Sequence, residues 1–397
     1  MNPTSERIPL HVIVVGGGIA GLCLAQGLRA SGINVQVHER DDSPAARPQG
    51  YRLTIKETGA RALRECLPDD LYRLCRATAI RTATRMIFMD ERLRPKFQRP
   101  IPPSPDGDDA PFGINRLTLR EILLTGLDDV VRFGSAFERY EPTSDGRVRA
   151  FFSDGTEAVG DLLVGADGTG SAVRRLLVPD AVIDELDWAV WGRTPITPAL
   201  LDRVPPELID SFNRVTGPDG AAISVATCRT AEPPSRTAAR IAPRARLSDI
   251  PDYFSWTVTI PDVDERPTSP RDLHLLAARV VETWHPALAE IIAPADVPAT
   301  FGVTITSARP VRLWREPAVT LLGDAIHTMS PGRGDGANVA LRHAALLCRL
   351  LADGTPLPGA KREYETRMLR DGFAAVERSR EMPFLPSRHS ATKGRAR

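Results

Sequence analysis

Hydrophobic and polar positions in the first 40 residues follow a strand, turn, helix, strand pattern. Residues 10–15 are a continuous apolar run, which is typical of a buried strand. Residues 19–31 have helical spacing, and Gly32 ends that helix. Apolar and polar residues then alternate over 33–39, as in a second strand. The pattern therefore predicts a β-α-β unit at the start of the chain.

The rest of the chain gives weaker but ordered signals. Strands are predicted at 86–89, 130–152 (with a turn at 144–146), 162–164 and 319–322, helices at 117–127 and 338–351, and a proline-rich surface loop at 99–109. Between 179 and 310 the glycine-rich signals cease, while prolines and aromatic residues appear. This change predicts an inserted domain.

These signals predict an α/β protein with a discontinuous first domain. Its pieces are residues 1–80, 110–178 and 305–380. Residues 81–109 and 179–304 form the second domain, whose larger β-sheet is expected to cover the first. A polar tail, 383–397, is expected to fray.

Composition excludes several functional classes. The 397 residues carry a formal net charge of +1, so no overall field favours nucleic acid or an anionic membrane. Five scattered cysteines, without a Cys-x-x-Cys pair, indicate reduced core residues and no metal site. Because the N-terminus is charged and no long apolar stretch occurs, we expect a cytoplasmic protein.

The glycine pattern at the first turn predicts a dinucleotide site. In Gly16-x-Gly18-x-x-Gly21, glycine permits a tight turn, close approach of the backbone to a pyrophosphate, and close helix–strand packing. The helix N-terminus attracts the phosphates through its free N–H groups. Glu39 ends the second strand, where a carboxylate accepts hydrogen bonds from a ribose diol.

Two later segments have related features. Asp167-Gly168 follows the predicted buried strand at 162–164. Further on, Gly323-Asp324 follows another strand and precedes a glycine-rich loop, 331–336, and a helix. A second helix N-terminus and a carboxylate at this place are suited to phosphates and a polyol.

Together these motifs resemble the class A flavoprotein monooxygenases, typified by para-hydroxybenzoate hydroxylase and salicylate hydroxylase. The resemblance covers nearly the whole chain, and it implies an FAD-binding Rossmann-like domain of the glutathione-reductase type with an inserted β-sheet substrate domain. By position, the cofactor-binding residues are expected to be Gly16, Gly18, Ala20, Gly21, Glu39, Arg40, Arg116, Asp167, Gly168, Gly323, Asp324, Pro331, Gly334, Gly336 and Asn338.

The resemblance also implies the chemistry. NADPH or NADH, as a transient co-substrate, reduces tightly but non-covalently bound FAD, and O2 then forms a C4a-hydroperoxyflavin that oxygenates a small aromatic or polycyclic substrate. Hydroxylation, epoxidation and Baeyer-Villiger insertion stay open, as do a flavin-dependent dehydrogenase or reductase and a non-catalytic flavoprotein. Two departures stand out, Arg342-His343 in the last helix and Asp335 in the glycine loop. A carboxylate there disfavours an anionic reduced flavin.

Catalytic candidates rest on position alone. Pro331 lies in the flavin-adjacent loop, and Arg193 begins the inserted domain where related proteins send a strand across the flavin. Arg193 is either a substrate-facing group or a surface cation. His327 is expected to pack near the cofactor and not to act as a base. Four tryptophans are candidates for an aromatic pocket, and one or two of them are expected to touch a ligand: Trp188, Trp191, Trp256 and Trp284. Tyr51 and Arg52 lie on a predicted strand, and they are either ordinary strand residues, which is the favoured interpretation, or residues at the flavin edge.

Overall fold

The computed structural model describes most of the chain. The described residues are 10–44, 46, 51–103, 107–261, 263 and 265–381. The tail predicted at 383–397 lies outside them. Within this described part, no helix is both long enough and apolar enough to cross a bilayer.

The first sheet has five parallel strands in the order β17-β11-β1-β2-β7. Its strands are β1 (His11–Val15), β2 (Asn34–His38), β7 (Val131–Arg132), β11 (Leu162–Gly165) and β17 (Val319–Leu321). Apolar runs form β1, β11 and β17 because a parallel sheet is covered by helices on both faces. The predicted β-α-β unit is confirmed: β1 begins one residue later than predicted, and β2 is one residue shorter at each end.

Eight helices belong to this part of the described chain. They are α1 (Ile19–Ala30), α2 (Glu57–Cys66), α3 (Asp69–Ala77), α4 (Arg116–Leu124), α5 (Ala172–Leu177), α10 (Asp324–His327), α11 (Gly336–Ala352) and α12 (Leu357–Arg380). Helix α11 packs against α1 and α2, so the end of the chain closes the core formed by its beginning. Two small sheets complete it, one pairing β3 (Arg52–Ile55) with β6 (Phe112–Asn115), the other joining β8 (Phe137–Pro142), β9 (Val148–Phe152) and β10 (Glu157–Gly160).

A larger sheet of seven strands has the order β16-β12-β15-β14-β13-β4-β5. Its strands are β4 (Arg85–Asp90), β5 (Pro95–Pro100), β12 (Ile183–Pro195), β13 (Phe212–Thr216), β14 (Ala222–Cys228), β15 (Tyr253–Thr259) and β16 (Phe301–Ala308). Alternate apolar residues bury one face in a second core with α8 (Pro270–Val281) and α9 (Pro286–Ile292). The larger sheet that the sequence predicted is therefore present.

Three features of this part were not anticipated. Strand β5 includes Arg99 and Pro100, the first residues of the predicted loop, because an exposed edge strand tolerates proline. Helix α7 (Pro234–Ile241) lies within the range given to the second domain, yet Ala238 packs in the first core beside α3. Short elements fill the remaining connections, namely α6 (Pro198–Leu201) and three 3₁₀ turns, Pro206–Leu208, Val297–Ala299 and Pro331–Arg333. The two-domain division stays a proposal, supported by the two separate cores.

Candidate functional site

Three predicted cofactor segments meet along one edge of the first sheet. Gly16 follows β1, Ala166 and Asp167 follow β11, and Gly323 follows Leu322 just after β17. These three strands are neighbours and run parallel, so their carboxyl ends lie side by side. In open α/β sheets this is the edge where ligands bind.

The three glycines of the first turn have different structural roles. Gly16 has φ +109°, and a Cβ there would lie 2.5 Å from the carbonyl oxygen of Ala166. At Gly21 a Cβ would overlap the carbonyl oxygen of Gly16. Both positions therefore require glycine for the protein's own packing. A Cβ at Gly18 meets no protein atom within 4 Å, so this position leaves room for a ligand against the backbone.

Glu39 is buried at the end of the second strand and is held from three sides. Its Oε2 accepts a hydrogen bond from the Gly17 N–H at 2.8 Å, and its Oε1 accepts one from the Asp41 N–H at 3.0 Å. The guanidinium of Arg120 lies 3.4 Å from Oε2 and donates to the carbonyl oxygens of Gly17 and Pro44, at 3.0 and 2.7 Å. This network fixes the carboxylate beside the glycine turn.

Sequence reasoning missed Arg120. It is 2% exposed and lies one helical turn after Arg116, on the same helix α4. A second arginine at i+4 in that helix was the available signal. Two other predicted residues have lesser roles here. Arg40 is exposed, and Ala20 packs close to Gly323 across the edge.

Asp167 and Gly168 organise the second segment. The Oδ2 of Asp167 accepts hydrogen bonds from the N–H groups of Ala172 and Val173, at 2.7 and 3.3 Å, at the start of α5. Its Oδ1 is buried and has no hydrogen-bond partner among the described residues. Gly168 has φ +76°, and a Cβ there would meet open space. One acceptor oxygen thus stays available at the sheet edge.

A buried arginine joins the second and third segments. Arg174 donates hydrogen bonds to the carbonyl oxygens of Thr169 and Ala325, both at 2.7 Å. Its burial lowers the pKa of the guanidinium, which stays charged at neutral pH. Through Arg174, the turns that carry Asp167 and Asp324 are held in one arrangement.

Asp324 begins α10 directly after Gly323, whose φ is +66°. Its carboxylate is open to solvent, yet enough protein surrounds it that desolvation raises its pKa, against the opposing charge of Arg116. These two observations together describe a group inside a cleft. The backbone of Gly336, at the start of α11, lies near it, since a Cβ there would be 3.9 Å from Asp324 Oδ1.

The glycine loop and Asn338 are tied to the second helix. Asn338 Oδ1 accepts from the Lys56 N–H at 2.7 Å, and Nδ2 donates to the carbonyl oxygens of Thr54 and Gly334 at 2.9 and 2.8 Å. These contacts make Asn338 a support for the loop, and its role as a cofactor-binding residue stays a prediction. Gly334 has φ +65° and open space above it, as the loop requires.

Asp335, the unexpected carboxylate of this loop, is paired. Its Oδ1 forms an ion pair with Lys56 Nζ, and its Oδ2 lies 3.6 Å from Arg333 Nε. Lys56 is one of four lysines in the chain and is another residue that sequence reasoning missed. The pairing offsets the negative charge that was expected to disfavour a reduced flavin. Pro331 begins the short 3₁₀ turn before this loop and is exposed.

Aromatic side chains lie where the β3–β6 pair meets the larger sheet. The rings of Tyr51 and Trp191 meet edge to face, with centroids 4.8 Å apart, and Phe301 lies 6.1 Å from Trp191 and 6.3 Å from Tyr51. Arg116 donates to the Tyr51 hydroxyl at 2.8 Å. We call Tyr51, Trp191 and Phe301 the aromatic junction. Trp191 Nε1 is buried there without a hydrogen-bond partner among the described residues.

Of the remaining candidates for a substrate site, Arg193 is in an ion pair, and three of the tryptophans pack in or against the second core. Arg193 donates through Nε and Nη2 to Asp296 Oδ2, at 3.0 and 2.7 Å, so it is neither a free surface cation nor an unpaired substrate group. Trp188 and Trp256 are buried in the second core, and Trp284 packs against that core. Of the four tryptophans, Trp191 alone belongs to the aromatic junction.

His327 is fully buried and bonded to the other unexpected residue of the last helix. Its Nε2 lies 3.0 Å from His343 Nδ1. Desolvation lowers the pKa of His327 to about 4, and it lowers the pKa of His343 further below its ordinary value. Both rings are therefore neutral at pH 7. The pair joins α10 to α11 behind the sheet edge, in line with the predicted packing role.

Two known families match the sequence. The FAD binding domain family matches residues 131–361, more than half of the chain. An NAD(P)-binding Rossmann-like domain matches residues 14–75, the range that contains the glycine turn and Glu39.

Individual proteins match over nearly all of this chain. The dual O-methyltransferase/FAD-dependent monooxygenase CTB3 of Cercospora beticola is 33% identical and covers 90% of this chain. This chain spans 44% of that protein, less than half its length. The FAD-dependent urate hydroxylase of Klebsiella oxytoca is 27% identical over 90% of this chain and 85% of its own. A crystal structure of an FAD-containing monooxygenase from Photorhabdus luminescens superposes with a TM-score of 0.78 at 30% identity, covering 93% of this chain and 96% of that one.

The residues described above fit FAD. Open space lies over Gly18, Gly168 and Gly334, one oxygen of Asp167 is unpartnered, and the carboxylate of Asp324 faces a cleft. The predicted α/β fold and its resemblance to flavoprotein monooxygenases are confirmed, with FAD as the cofactor.

Proposed function

Because the chain belongs to the FAD binding domain family, as flavoprotein monooxygenases do, we propose that it consumes NAD(P)H and O2 to insert one oxygen atom into a small aromatic or polycyclic molecule. The second oxygen atom leaves as water, and NAD(P)H supplies the two electrons. The observation that carries this proposal is that three cofactor segments meet at the ends of adjacent parallel strands, next to the aromatic junction. Arg116 connects the two regions, because its charge acts on the Asp324 carboxylate and its guanidinium donates to the Tyr51 hydroxyl.

In this proposal the residues of the sheet edge hold the dinucleotide. The turn at Gly16 to Gly21 and the N-terminus of α1 bind the pyrophosphate, and Glu39, fixed by Arg120, accepts hydrogen bonds from the adenosine ribose. Asp167 and Asp324 provide acceptors further along the edge. The catalytic roles of Arg193 and Pro331 stay predictions.

FAD, when bound, supplies electron transfer and oxygen activation. The protein supplies position, charge and exclusion of water. The N-terminus of α11 points partial positive charge toward the cleft of Asp324, worth about 0.3 to 1 kcal/mol at an accessible site. The aromatic junction gives an apolar wall of rings set at angles to one another, which suits contact with a further aromatic ring and keeps water from it.

The relatives support this substrate class. One is named a urate hydroxylase, which acts on a fused ring system, and CTB3 combines a monooxygenase with an O-methyltransferase, a reaction that needs a hydroxyl group. We extend both features to this chain and propose a hydroxylated ring system as substrate. A cytoplasmic location belongs to the same proposal, supported by five buried cysteines without disulfides.

The test begins with the visible spectrum of the FAD-loaded protein. NADPH or NADH is added without oxygen, alone and with phenols and polycyclic aromatics. Bleaching that one compound accelerates, followed by transfer of ¹⁸O from ¹⁸O2 into that compound, is the expected result. Reduction without labelled product would favour a dehydrogenase or reductase. A bound flavin that neither nucleotide reduces would favour a non-catalytic flavoprotein.

A further inference from the structure

Arg52 lies next to the aromatic junction and is packed unusually for an arginine. It begins β3 directly after Tyr51, opposite Asn115 on β6. Its Nε and Nη2 each lie 3.4 Å from the place where a Cβ of Gly113 would be. The guanidinium therefore lies against the backbone of Gly113, which has no side chain to displace it. Arg52 is half-buried between the β3–β6 pair and the larger sheet.

This guanidinium has no acceptor among the described residues. Its neighbours differ in this respect, since Arg193 is paired with Asp296 and Arg116 donates to Tyr51. A half-buried cation without a partner costs stability, and such groups are normally paired. The guanidinium of Arg52 can therefore bind an anion that does not belong to the chain.

The titratable groups of the larger sheet around Cys228, on which the charge of Arg52 acts, do not supply that anion. Burial raises the pKa of the Cys228 thiol to about 11, although the charge of Arg52 acts against the shift. Burial likewise holds the pKa of Tyr253 well above its usual range, and its hydroxyl accepts from Asn115 at 2.9 Å. Both groups are neutral at pH 7. Asp252, whose charge also acts on Cys228, accepts a hydrogen bond from the Thr230 N–H and makes no ion pair with Arg52.

We propose that Arg52 binds an anionic oxygen of the substrate, a phenolate, an enolate or a carboxylate, while the aromatic junction holds the ring. The inference rests on the proposed function and narrows its substrate class to anions. A planar guanidinium donates to such an oxygen through charge-assisted hydrogen bonds. It also favours the ionised form of a hydroxyl on the ring, which makes that ring richer in electrons and a better target for oxygen insertion.

The test compares two probes of one shape and different charge, 2-naphthoate and the neutral 2-naphthamide. Each is titrated into the FAD-loaded protein, and binding is followed by the change in the flavin spectrum. We expect the wild type to bind 2-naphthoate about 10- to 100-fold more tightly, the ratio typical of a hydrogen bond to a charged group. Arg52→Met removes that preference, Arg52→Lys keeps part of it, and the exposed Arg99→Met keeps all of it.

Two results would overturn the proposal. One is a wild type that binds the two probes equally, or binds neither. The other is a preference that survives in Arg52→Met. If the dissociation constant of NADPH, taken from the rate of anaerobic flavin reduction, also rises at least tenfold in that variant, Arg52 serves a phosphate of the nucleotide instead. Loss of ¹⁸O transfer with the probe preference intact contradicts the proposed function and not the role of Arg52. Arg52→Gln repeats the comparison if Arg52→Met fails to bind FAD.

Discussion

The sheet edge around Gly16 and Glu39 and the aromatic junction around Tyr51 satisfy their polar groups differently. At the edge, both oxygens of Glu39 and three groups of Arg120 are engaged within the chain. At the junction, Trp191 Nε1 has no partner among the described residues, and Arg52 has no described acceptor. The chain itself satisfies the carboxylate of Glu39, whereas the junction leaves donors for a ligand.

This difference follows from what each region has to bind. A dinucleotide is invariant, so its site is built from backbone groups fixed by buried side chains. A substrate differs from one relative to the next, and its site consists of a few side chains on a sheet face. Changes at the edge are therefore expected to cost stability, while changes at the junction are expected to alter binding.

The largest effect is expected for Arg120→Met. It removes the buried ion pair between Arg120 and Glu39 and the donors to the carbonyl oxygens of Gly17 and Pro44. We expect the free energy of unfolding to fall by about 3 to 5 kcal/mol, and FAD to bind more weakly. Denaturant unfolding and FAD titration measure both. The control is Arg139→Met, whose exposed pair with Glu141 contributes at most about 1 kcal/mol. Similar losses in the two variants would show that the edge is not specially dependent on its buried arginine.

Acidification is expected to weaken the edge next. In the unfolded chain His327 gains a proton near pH 6.5, and in the folded chain only near pH 4, so the unfolded state holds more protons between these values. The contribution of His327 to stability is full above pH 6.5 and falls by about 3 kcal/mol as the pH approaches 4. Urea unfolding at pH 7.5, 5.5 and 4.5 measures this. In His327→Asn the decline is smaller. The remainder includes His343, whose pKa burial holds well below its ordinary value, and His38, whose pKa burial lowers to about 4. Equal declines would contradict the assignment.

The glycines of the first turn sharpen the comparison within the edge itself. Gly16→Ala adds left-handed strain and an overlap with Ala166, which costs roughly 2 kcal/mol of stability. Gly18→Ala meets no protein atom, so stability without FAD stays within about 0.5 kcal/mol of the wild type. Thermal unfolding with and without added FAD separates the two variants. Gly18→Ala is expected to unfold like the wild type without FAD and to be stabilised less by added FAD, whereas Gly16→Ala is expected to be less stable already without FAD. If both variants behave alike, the space over Gly18 does not serve the cofactor.

The smallest effect belongs to the junction. Tyr51→Phe keeps the ring against Trp191 and Phe301 and loses the hydrogen bond from Arg116. We expect about 1 kcal/mol of lost stability and unchanged FAD content. Denaturant unfolding and the ratio of flavin to protein absorbance check these two values. A loss as large as that of Arg120→Met would mean that the junction is as rigidly built as the edge.

Elements with strong local patterns could be predicted from the sequence. The β-α-β unit, the buried strand before Asp167 and the helix after the glycine loop match the structure because apolar runs and glycines act within a few residues. The dinucleotide segments were found for the same reason. In each segment the end of a strand is followed by a glycine, which permits a tight turn, or by a carboxylate, which accepts hydrogen bonds.

Contacts between distant residues could not be predicted. Arg120 on α4 contacts Glu39 and Gly17, Lys56 pairs with Asp335, and Asp296 pairs with Arg193. The partners in each contact are far apart in the sequence and meet only in the folded chain. Strand β5 was missed because prolines and exposed charges carry no alternating pattern. The sequence thus named candidate substrate residues, but only the structure gave the residues that they contact.

The order of strands in the first sheet has a consequence for the synthesis of the chain. Strand β17 pairs with β11, yet it follows it by more than 150 residues, most of which build the other sheet. At about 5 to 20 residues per second, the apolar edge of β11 stays without its neighbour for roughly 8 to 30 s on the ribosome. Unpaired strand edges promote aggregation. The newly made protein is therefore expected to depend on chaperones until residues 319–321 emerge and close the sheet.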